Sequence, residues 1–206
     1  AVGPQAAGRI SLDAPITKNL SAVADALGKR VSEVTVIVLD RPRHAGLIAE
    51  MRRAGARIRM ISDGDVAAAV ATALDGTGID MMVGIGGAPE GVLAAAALRC
   101  LGGELQGRLW PEDEDDRQRA AAMLGARAGS LLTMKDLVGD DDVIFAATGI
   151  TSGDMFEGVS FTGGGVHTDS LAMRAVTGTV RFIKAIHQPD RKPLVGRFLE
   201  PHNSNG

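Results

Sequence analysis

The chain has 206 residues, of which 45 % are hydrophobic and 23 % charged, a balance typical of a globular protein with one sizeable core. The formal net charge of −3 excludes a general attraction to nucleic acid or to an anionic membrane. With no Tyr, one Trp and five Phe, the chain also lacks the aromatic platforms on which single-stranded nucleic acids stack, so we expect neither nucleic acid nor a membrane as a partner.

The chain opens on a Gly-containing segment, AVGPQAAGRI, which has neither the basic stretch nor the apolar core of a signal peptide. It also lacks an initiator Met, and we expect it to be a cut end. The first predicted helix follows it, with Asp13 as a cap and Pro15 in the first turn. This helix should run for about 14 residues and end at Gly28.

Strands and helices then alternate along the chain. Residues 34–39 form a β-branched run that is apolar on both faces, as buried parallel strands are, and residues 57–62 form the next strand after a short helix. The cycle repeats with an Ala-rich helix over 66–74, a short strand over 80–83 and a helix over 89–101. This alternation predicts an α/β fold with a largely parallel sheet and helices on both of its faces.

The second half of the sequence contains an acidic segment and then becomes rich in predicted strands. Residues 111–119 are acidic and predict a solvated surface helix. Beyond them, glycines separate several β-rich runs, which would form an antiparallel edge on the parallel sheet. These predicted strands are 143–146, 159–162, 167–175 and 179–186. Because the polar, Pro-punctuated residues 188–206 predict a surface tail, we expect one domain over 1–187 followed by that tail.

Each of the first three predicted strands ends in a loop that carries charged or glycine residues. The loops are DRPRH at 40–44, DGD at 63–65 and GGAPE at 86–90. In a parallel sheet such loops lie at one edge, outside the carboxyl ends of the strands, where α/β proteins bind ligands. The three segments together therefore predict one binding site.

The first loop indicates an anionic ligand. Arg41 and Arg43 flank Pro42, which fixes the turn, and guanidinium groups suit phosphate or carboxylate in bidentate geometry. An ordinary surface ion pair is the alternative for each arginine.

The other two loops supply carboxylates. Asp63 and Asp65, separated by Gly64, can accept hydrogen bonds from a polyhydroxylated ligand or bind a hard cation, or they can simply stabilise a turn. Glu90 is placed at the start of the next helix, where it is either a ligand for Mg²⁺ or Mn²⁺ or a charge that complements the helix dipole.

Several other chemistries do not fit the sequence. Residues 84–89 begin like a dinucleotide fingerprint but place Pro89 where its third Gly belongs, so a nucleotide cofactor is not expected. The single cysteine, Cys100, excludes an internal disulfide and indicates a reducing cytoplasm. Because it lies in an Ala- and Leu-rich helix, we expect it in the core. The histidines show no zinc-ligand spacing. His44, at the end of the arginine loop (residues 40–44), either faces the ligand or is a surface or supporting residue, and we favour the second.

At these loops the chain strongly resembles the class II, GlpX-type fructose-1,6-bisphosphatases over residues 8–187. The similarity is carried by long motifs: LDRPRH, ISDGDVA, GIGGAPEGVLAAAALRCLGGELQGRL, DDVIFAATGIT, FTGGGVHTDSLAMR and GTVRFIKAIH. The resemblance implies the layered sugar-phosphatase fold and hydrolysis of the 1-phosphate of fructose 1,6-bisphosphate to fructose 6-phosphate in gluconeogenesis. It also implies Mg²⁺ or Mn²⁺ as the cofactor. We further expect a cytoplasmic protein that forms a homo-oligomer.

The same resemblance assigns roles to residues of the three loops. Glu90 matches a metal ligand. The residues that match substrate-binding positions are Arg41, Pro42, Arg43, Asp63, Gly64, Asp65 and Gly87.

Members of this family are longer at the N-terminus, and that portion supplies most of the acidic metal ligands and the catalytic residues. Its substrate-contacting tyrosine has no counterpart here, since the sequence contains no Tyr. The chain is then the C-terminal part of a longer enzyme, or a separate chain completes its site, or it is no longer a phosphatase; we favour the first. A sugar-phosphate-binding module and a structural half-domain are the other functional classes.

Overall fold

The computed structural model describes residues 1–153 and 155–191. The helices are α1 Ile16–Leu27, α2 Ala45–Arg53, α3 Asp65–Ala71, α4 Ala88–Leu101, α5 Glu114–Leu124 and α6 Met134–Val138. The strands are β1 Thr35–Leu39, β2 Arg57–Ile61, β3 Met81–Met82, β4 Ile144–Thr148, β5 Ser160–Thr162, β6 Gly165–Arg174 and β7 Thr179–His187. The described residues fall into two compact units: residues 1–145 with 173–179, and residues 146–153 and 155–172 with 180–191.

A three-stranded parallel sheet lies at the centre of the first unit. Its order is β2-β1-β3, with Leu39 opposite Ile61 and Ile37 opposite Met82. The central position of β1 agrees with its apolar, β-branched sequence, because its residues after Thr35 are all buried. The predicted parallel sheet and α/β class are confirmed for this unit.

Helices contact both faces of β1, because successive side chains of a strand point to opposite faces. On one face, Val36 and Val38 share a core cluster with residues of α1 and α2, among them Leu20 and Met51. On the other face, Ile37 belongs to a cluster that includes Ala68 of α3. The helices that follow β1 and β2 are thereby held so that their first turns lie next to the strand ends.

The start of α1 differs from the prediction. The helix is bounded by Pro15 and by Gly28, whose φ of +63° is the left-handed conformation that ends many helices. Asp13 does not cap it: its carboxylate instead forms an ion pair with Arg108. The aspartate stands two residues before the capping position, which explains why its side chain is free to reach another segment.

The β-rich residues of the C-terminal half form a second, four-stranded sheet. Its strand β6 pairs with β4, β5 and β7, and β5 is antiparallel to it, with Ser160 opposite His167. The antiparallel character is confirmed, but the predicted edge on the parallel sheet is wrong. Short glycine turns join β5 to β6 and β6 to β7, so these strands pair with their neighbours in the sequence.

The predicted acidic surface helix is α5. Asp113 caps it by accepting a hydrogen bond from the backbone N–H of Asp116, and Ala120 is its one buried residue. Of the predicted tail, residues 192–206 lie outside the described part of the chain, so the boundary after residue 187 stays a prediction. Within the described ranges, none of the helices combines the length and the apolar character needed to cross a bilayer.

Arg30 and Glu33 close a turn just before β1, and the ion pair between them is sensitive to pH. The Glu33 carboxylate binds the Arg30 side chain through both oxygens and accepts from the Arg30 backbone N–H. These hydrogen bonds, the side-chain ones first, lower the pKa of Glu33 from 4.5 to about 2. Because the folded-state pKa is the lower one, the pair stabilises the fold above pH 4.5, and that contribution is lost as the pH falls from 4.5 to about 2.

NMR titration of the Glu33 carboxyl carbon should give a midpoint near 2, and the substitution Arg30→Gln should move it up toward 4.5. Arg30 is exposed and Glu33 is half-buried, so salt should also raise the midpoint of the unchanged protein. A midpoint that does not respond to Arg30→Gln would contradict the assignment.

Candidate functional site

The loops that follow β1, β2 and β3 meet at one edge of the parallel sheet. The Arg41 side chain donates to the carbonyl of Ser62, directly after β2, at 2.7 Å. The Arg43 side chain donates to the carbonyl of Ile85, in the loop after β3, at 2.8 Å. The first loop thus contacts both of the others, as the parallel topology predicted.

Within the described ranges, neither arginine is paired with a carboxylate. In addition to Ser62, Arg41 donates to the carbonyl of Asp40 at 3.0 Å, so the contacts of both guanidinium groups are to backbone oxygens. Among the residues that the structure describes, no Asp or Glu forms an ion pair with Arg41 or Arg43, which removes the surface ion-pair alternative for that part of the chain. Two positive charges therefore stand at the strand edge beside their own loop backbone.

The aspartate loop turns sharply into α3. Gly64 has φ +83°, a left-handed conformation that a side chain would strain, and the helix begins at the next residue. Asp63 is exposed, whereas Asp65 is half-buried and accepts from the backbone N–H of Val66 at 3.2 Å. A local turn contact thus engages one oxygen of Asp65. The other oxygen is directed at the segment between β3 and α4, residues 83–87, which we call the glycine loop.

The glycine loop runs directly against two carboxylates. A Cβ atom at Gly86 would lie 2.6 Å from Oδ2 of Asp65, and a Cβ atom at Gly87 would overlap the Glu90 carboxylate. Gly87 is the residue before α4, and Glu90 lies in the first turn of that helix. The absence of side chains at these two glycines is what lets Asp65, the loop backbone and Glu90 come together.

Glu90 is exposed, and within the described ranges no hydrogen bond or ion pair engages its side chain. The same ranges contain no group of three or more His, Cys, Asp or Glu side chains placed to hold a metal ion. Glu90 can therefore contribute one hard oxygen donor, but the residues described do not complete a cation site.

His44 lies where the first loop meets the loop after β3, and the surface position that was one prediction for it is wrong. It is fully buried, with 1 % of its surface exposed. Its Nδ1 lies 2.7 Å from the carbonyl of Leu39, and its Nε2 accepts from the backbone N–H of Ile85 at 2.8 Å. The one signal of this place in the sequence is its position at the end of the DRPRH loop.

Cys100 lies in the core, as predicted. Its side chain is buried and donates weakly to the carbonyl of Val143 at 3.5 Å, and burial raises the pKa of its thiol. A thiol of this kind is unreactive at neutral pH.

The fold and site define an α/β protein that brings guanidinium groups, carboxylates and open glycine backbone together at the strand ends of a parallel sheet. The family model described as bacterial fructose-1,6-bisphosphatase, glpX-encoded, matches residues 1–187. The chain belongs to this family, and the resemblance seen in its motifs is confirmed.

Two curated relatives show how far the similarity extends. A protein of Synechococcus sp. strain JA-3-3Ab, named D-fructose 1,6-bisphosphatase class 2/sedoheptulose 1,7-bisphosphatase, is 44 % identical over 202 residues, which cover 92 % of this chain and 58 % of the relative. Fructose-1,6-bisphosphatase 1 class 2 of Escherichia coli K12 is 45 % identical over 204 residues, covering 93 % of this chain and 60 % of the relative. The chain spans about three-fifths of the length of these relatives.

Proposed function

We propose that the chain carries the sugar-phosphate-binding side of a metal-dependent phosphatase that hydrolyses the 1-phosphate of fructose 1,6-bisphosphate to fructose 6-phosphate in gluconeogenesis. The observation that carries the proposal is the contact of three strand-end loops through Arg41 and Arg43, at the residues that the family resemblance marks as substrate-binding. Membership of the family and the names of the relatives support the same reaction.

The arginines would bind the phosphate. A guanidinium group has five N–H donors, and the backbone contacts of Arg41 and Arg43 occupy only part of them. Those contacts hold each group in place before the ligand arrives, which reduces the entropy lost on binding. Because no described carboxylate offsets the two charges, a phosphate dianion is the complementary partner.

The second and third loops would bind the sugar. Asp63 and Asp65 are hydrogen-bond acceptors for hydroxyl groups, and Gly64 keeps them on either side of a tight turn. Gly87 has no side chain of its own and the Glu90 carboxylate lies against it, so a sugar bound at its peptide would lie beside that carboxylate. Acceptors beside guanidinium donors distinguish a sugar phosphate from a simple inorganic anion.

Glu90 would be this chain's ligand to the divalent cation, for which we propose Mg²⁺ or Mn²⁺. Both ions prefer carboxylate oxygens, and a carboxylate in the first turn of α4 is held on a rigid element. When bound, the metal supplies charge stabilisation at the phosphoryl group and a site for the attacking water. The remaining ligands would come from residues outside this chain.

A second candidate is a module that binds sugar phosphate without hydrolysing it. It is favoured by one observation, the lack of a metal-holding cluster among the residues described. Metal-dependent phosphate release from the complete protein separates the two functions, because the module would bind the ligand and leave it intact.

The anion-binding role is tested in a full-length form, in which this chain replaces the matched segment of the Escherichia coli relative. Each of Arg41→Ala and Arg43→Ala should raise KM for fructose 1,6-bisphosphate by roughly ten- to a hundredfold, since a lost charge-assisted hydrogen bond costs about 1.5–3 kcal/mol. The measurement is steady-state phosphate release at saturating metal.

Arg53→Ala is the matched control, because Arg53 is an exposed arginine in the last turn of α2, away from the strand-end loops. Its KM should stay at the unsubstituted value. Unchanged KM values in both site variants would remove the arginines from substrate binding.

A further inference from the structure

We propose that His44 is a positioning residue that holds the glycine loop of the site against the arginine loop, an inference that rests on the function proposed for the same site. Its ring nitrogens bond Leu39 and Ile85, neither of which is assigned to the substrate or the metal. Its effect would pass through the peptide of Ile85.

The hydrogen bonds of His44 define one state of its ring. A carbonyl only accepts, so Nδ1 must donate to Leu39 at the end of β1, and a backbone N–H only donates, so Nε2 must accept from Ile85. The ring is therefore neutral, with its hydrogen on Nδ1. A protonated ring, or the other tautomer, would place hydrogen against hydrogen at Ile85.

The peptide groups of Ile85 are held from two sides by adjacent residues. His44 accepts from its N–H and Arg43 donates to its carbonyl, at the same distance of 2.8 Å. The ring also lies against Gly84, where a Cβ atom would come within 3.2 Å of Cε1. Gly84 has φ +148°, so the loop leaves β3 in a conformation suited to glycine alone.

A displacement of the Ile85 peptide would change both the arginine loop and the glycine loop of the site. Toward the first loop, Arg43 would lose the carbonyl that orients its guanidinium group. Along the chain, Gly86 and Gly87 would move relative to the carboxylates of Asp65 and Glu90. Binding residues need to be held to within about 0.5 Å, which is why a buried contact at one peptide can control the affinity of the site.

Two substitutions separate the two hydrogen bonds of the ring. An asparagine amide reaches the position of Nδ1 and can still donate to Leu39, whereas a glutamine amide reaches the position of Nε2 and can offer Ile85 an acceptor oxygen. Both are introduced into the full-length form labelled with ¹⁵N-isoleucine, and the exchange rate of the Ile85 amide is measured by NMR. With His44→Asn the amide should exchange about tenfold faster, as expected for one lost hydrogen bond, and with His44→Gln close to the unsubstituted rate.

The Michaelis constant should change in parallel with the exchange rate of the Ile85 amide. KM for fructose 1,6-bisphosphate should rise by about tenfold with His44→Asn and return close to normal with His44→Gln, at a similar kcat. Asn19→Ala is the control for a general loss of stability, because Asn19 is a buried polar side chain that bonds backbone groups of Ser11, far along the chain from these loops. It should leave KM and the Ile85 exchange rate unchanged.

Equal Ile85 exchange rates in the Asn and Gln variants would overturn the positioning role, and so would a KM that rises as much with Asn19→Ala as with His44→Asn. A full-length form that binds but does not hydrolyse fructose 1,6-bisphosphate would reject the proposed reaction instead. In that case the exchange rates, together with the dissociation constant for the sugar bisphosphate in place of KM, still decide the role of His44.

Discussion

A polypeptide limited to these 206 residues is expected to release no phosphate from fructose 1,6-bisphosphate, with either Mg²⁺ or Mn²⁺ present. These cations take about six oxygen ligands, and the described residues contain no group of three or more His, Cys, Asp or Glu side chains placed to hold one. Glu90 alone cannot hold the ion at a useful concentration. The full-length form should release phosphate and should lose that activity when the metal is removed by a chelator.

The measurement is phosphate release at matched protein concentrations, with the Escherichia coli relative as the positive control. Circular dichroism and cooperative thermal unfolding of the 206-residue polypeptide establish that an inactive sample is folded. Chelator-sensitive turnover by that polypeptide would show that its own residues complete a metal site.

A further arm tests whether a separate chain can complete the site. The segment of the Escherichia coli relative that this chain does not match is added as a second polypeptide. Activity that appears only on mixing, and that rises with the concentration of the added segment, would demonstrate completion between chains. Activity confined to the covalently joined form would show that the two parts need the effective concentration that one chain provides.

The parallel sheet could be predicted because its signal is local. The run of β-branched residues before Asp40 is buried on both faces of the sheet, and such a run has few other places in a globular fold. The predicted ends of helices and strands were less accurate. Helix α3 ends at Ala71, whereas the sequence predicted an end at residue 74. Its last carbonyl accepts a hydrogen bond from the hydroxyl of Thr77, a contact that no periodicity reveals.

Strand pairing in the C-terminal half could not be read from the sequence. Alternation and glycine turns indicate where strands lie, but the choice of partner depends on which backbone edges are already filled. Here β6 is ten residues long and pairs with three other strands, so a second sheet forms. The short helix α6 was also not predicted. Its first turn could have been found, because the capping box of Thr133 and Asp136 is a pattern visible in the sequence.

The candidate site was predictable to the extent that it consists of side chains at strand ends. Arg41, Asp65 and Glu90 stand in loops that a parallel sheet must bring to one edge. His44 was not predictable in the same way, because both of its partners are backbone groups, which every residue carries. The role of such a residue emerges only when the loops are seen in contact.

Glu90 is the residue whose substitution should have the largest effect on the complete enzyme. The change Glu90→Gln keeps the shape of the side chain and removes its charge, and the side chain is exposed in the first turn of α4, so the fold should survive. If the carboxylate is a metal ligand, activity should drop by orders of magnitude and the metal concentration that gives half-activity should rise. Both quantities come from titrating the full-length form and its variant with Mg²⁺ and with Mn²⁺.

The competing interpretation predicts a different pair of results. A carboxylate that only complements the dipole of α4 contributes about 0.3–1 kcal/mol to stability and nothing to metal affinity. Glu114→Gln is the matched control, because Glu114 is also an exposed glutamate in the first turn of a helix, and there the small loss of stability without a metal effect is expected. If Glu90→Gln behaves like Glu114→Gln, with near-normal activity and an unshifted metal titration, Glu90 is not a ligand. If only Glu90→Gln shifts the metal titration, the cation binds at the start of α4, beside the glycine loop that His44 and Arg43 contact.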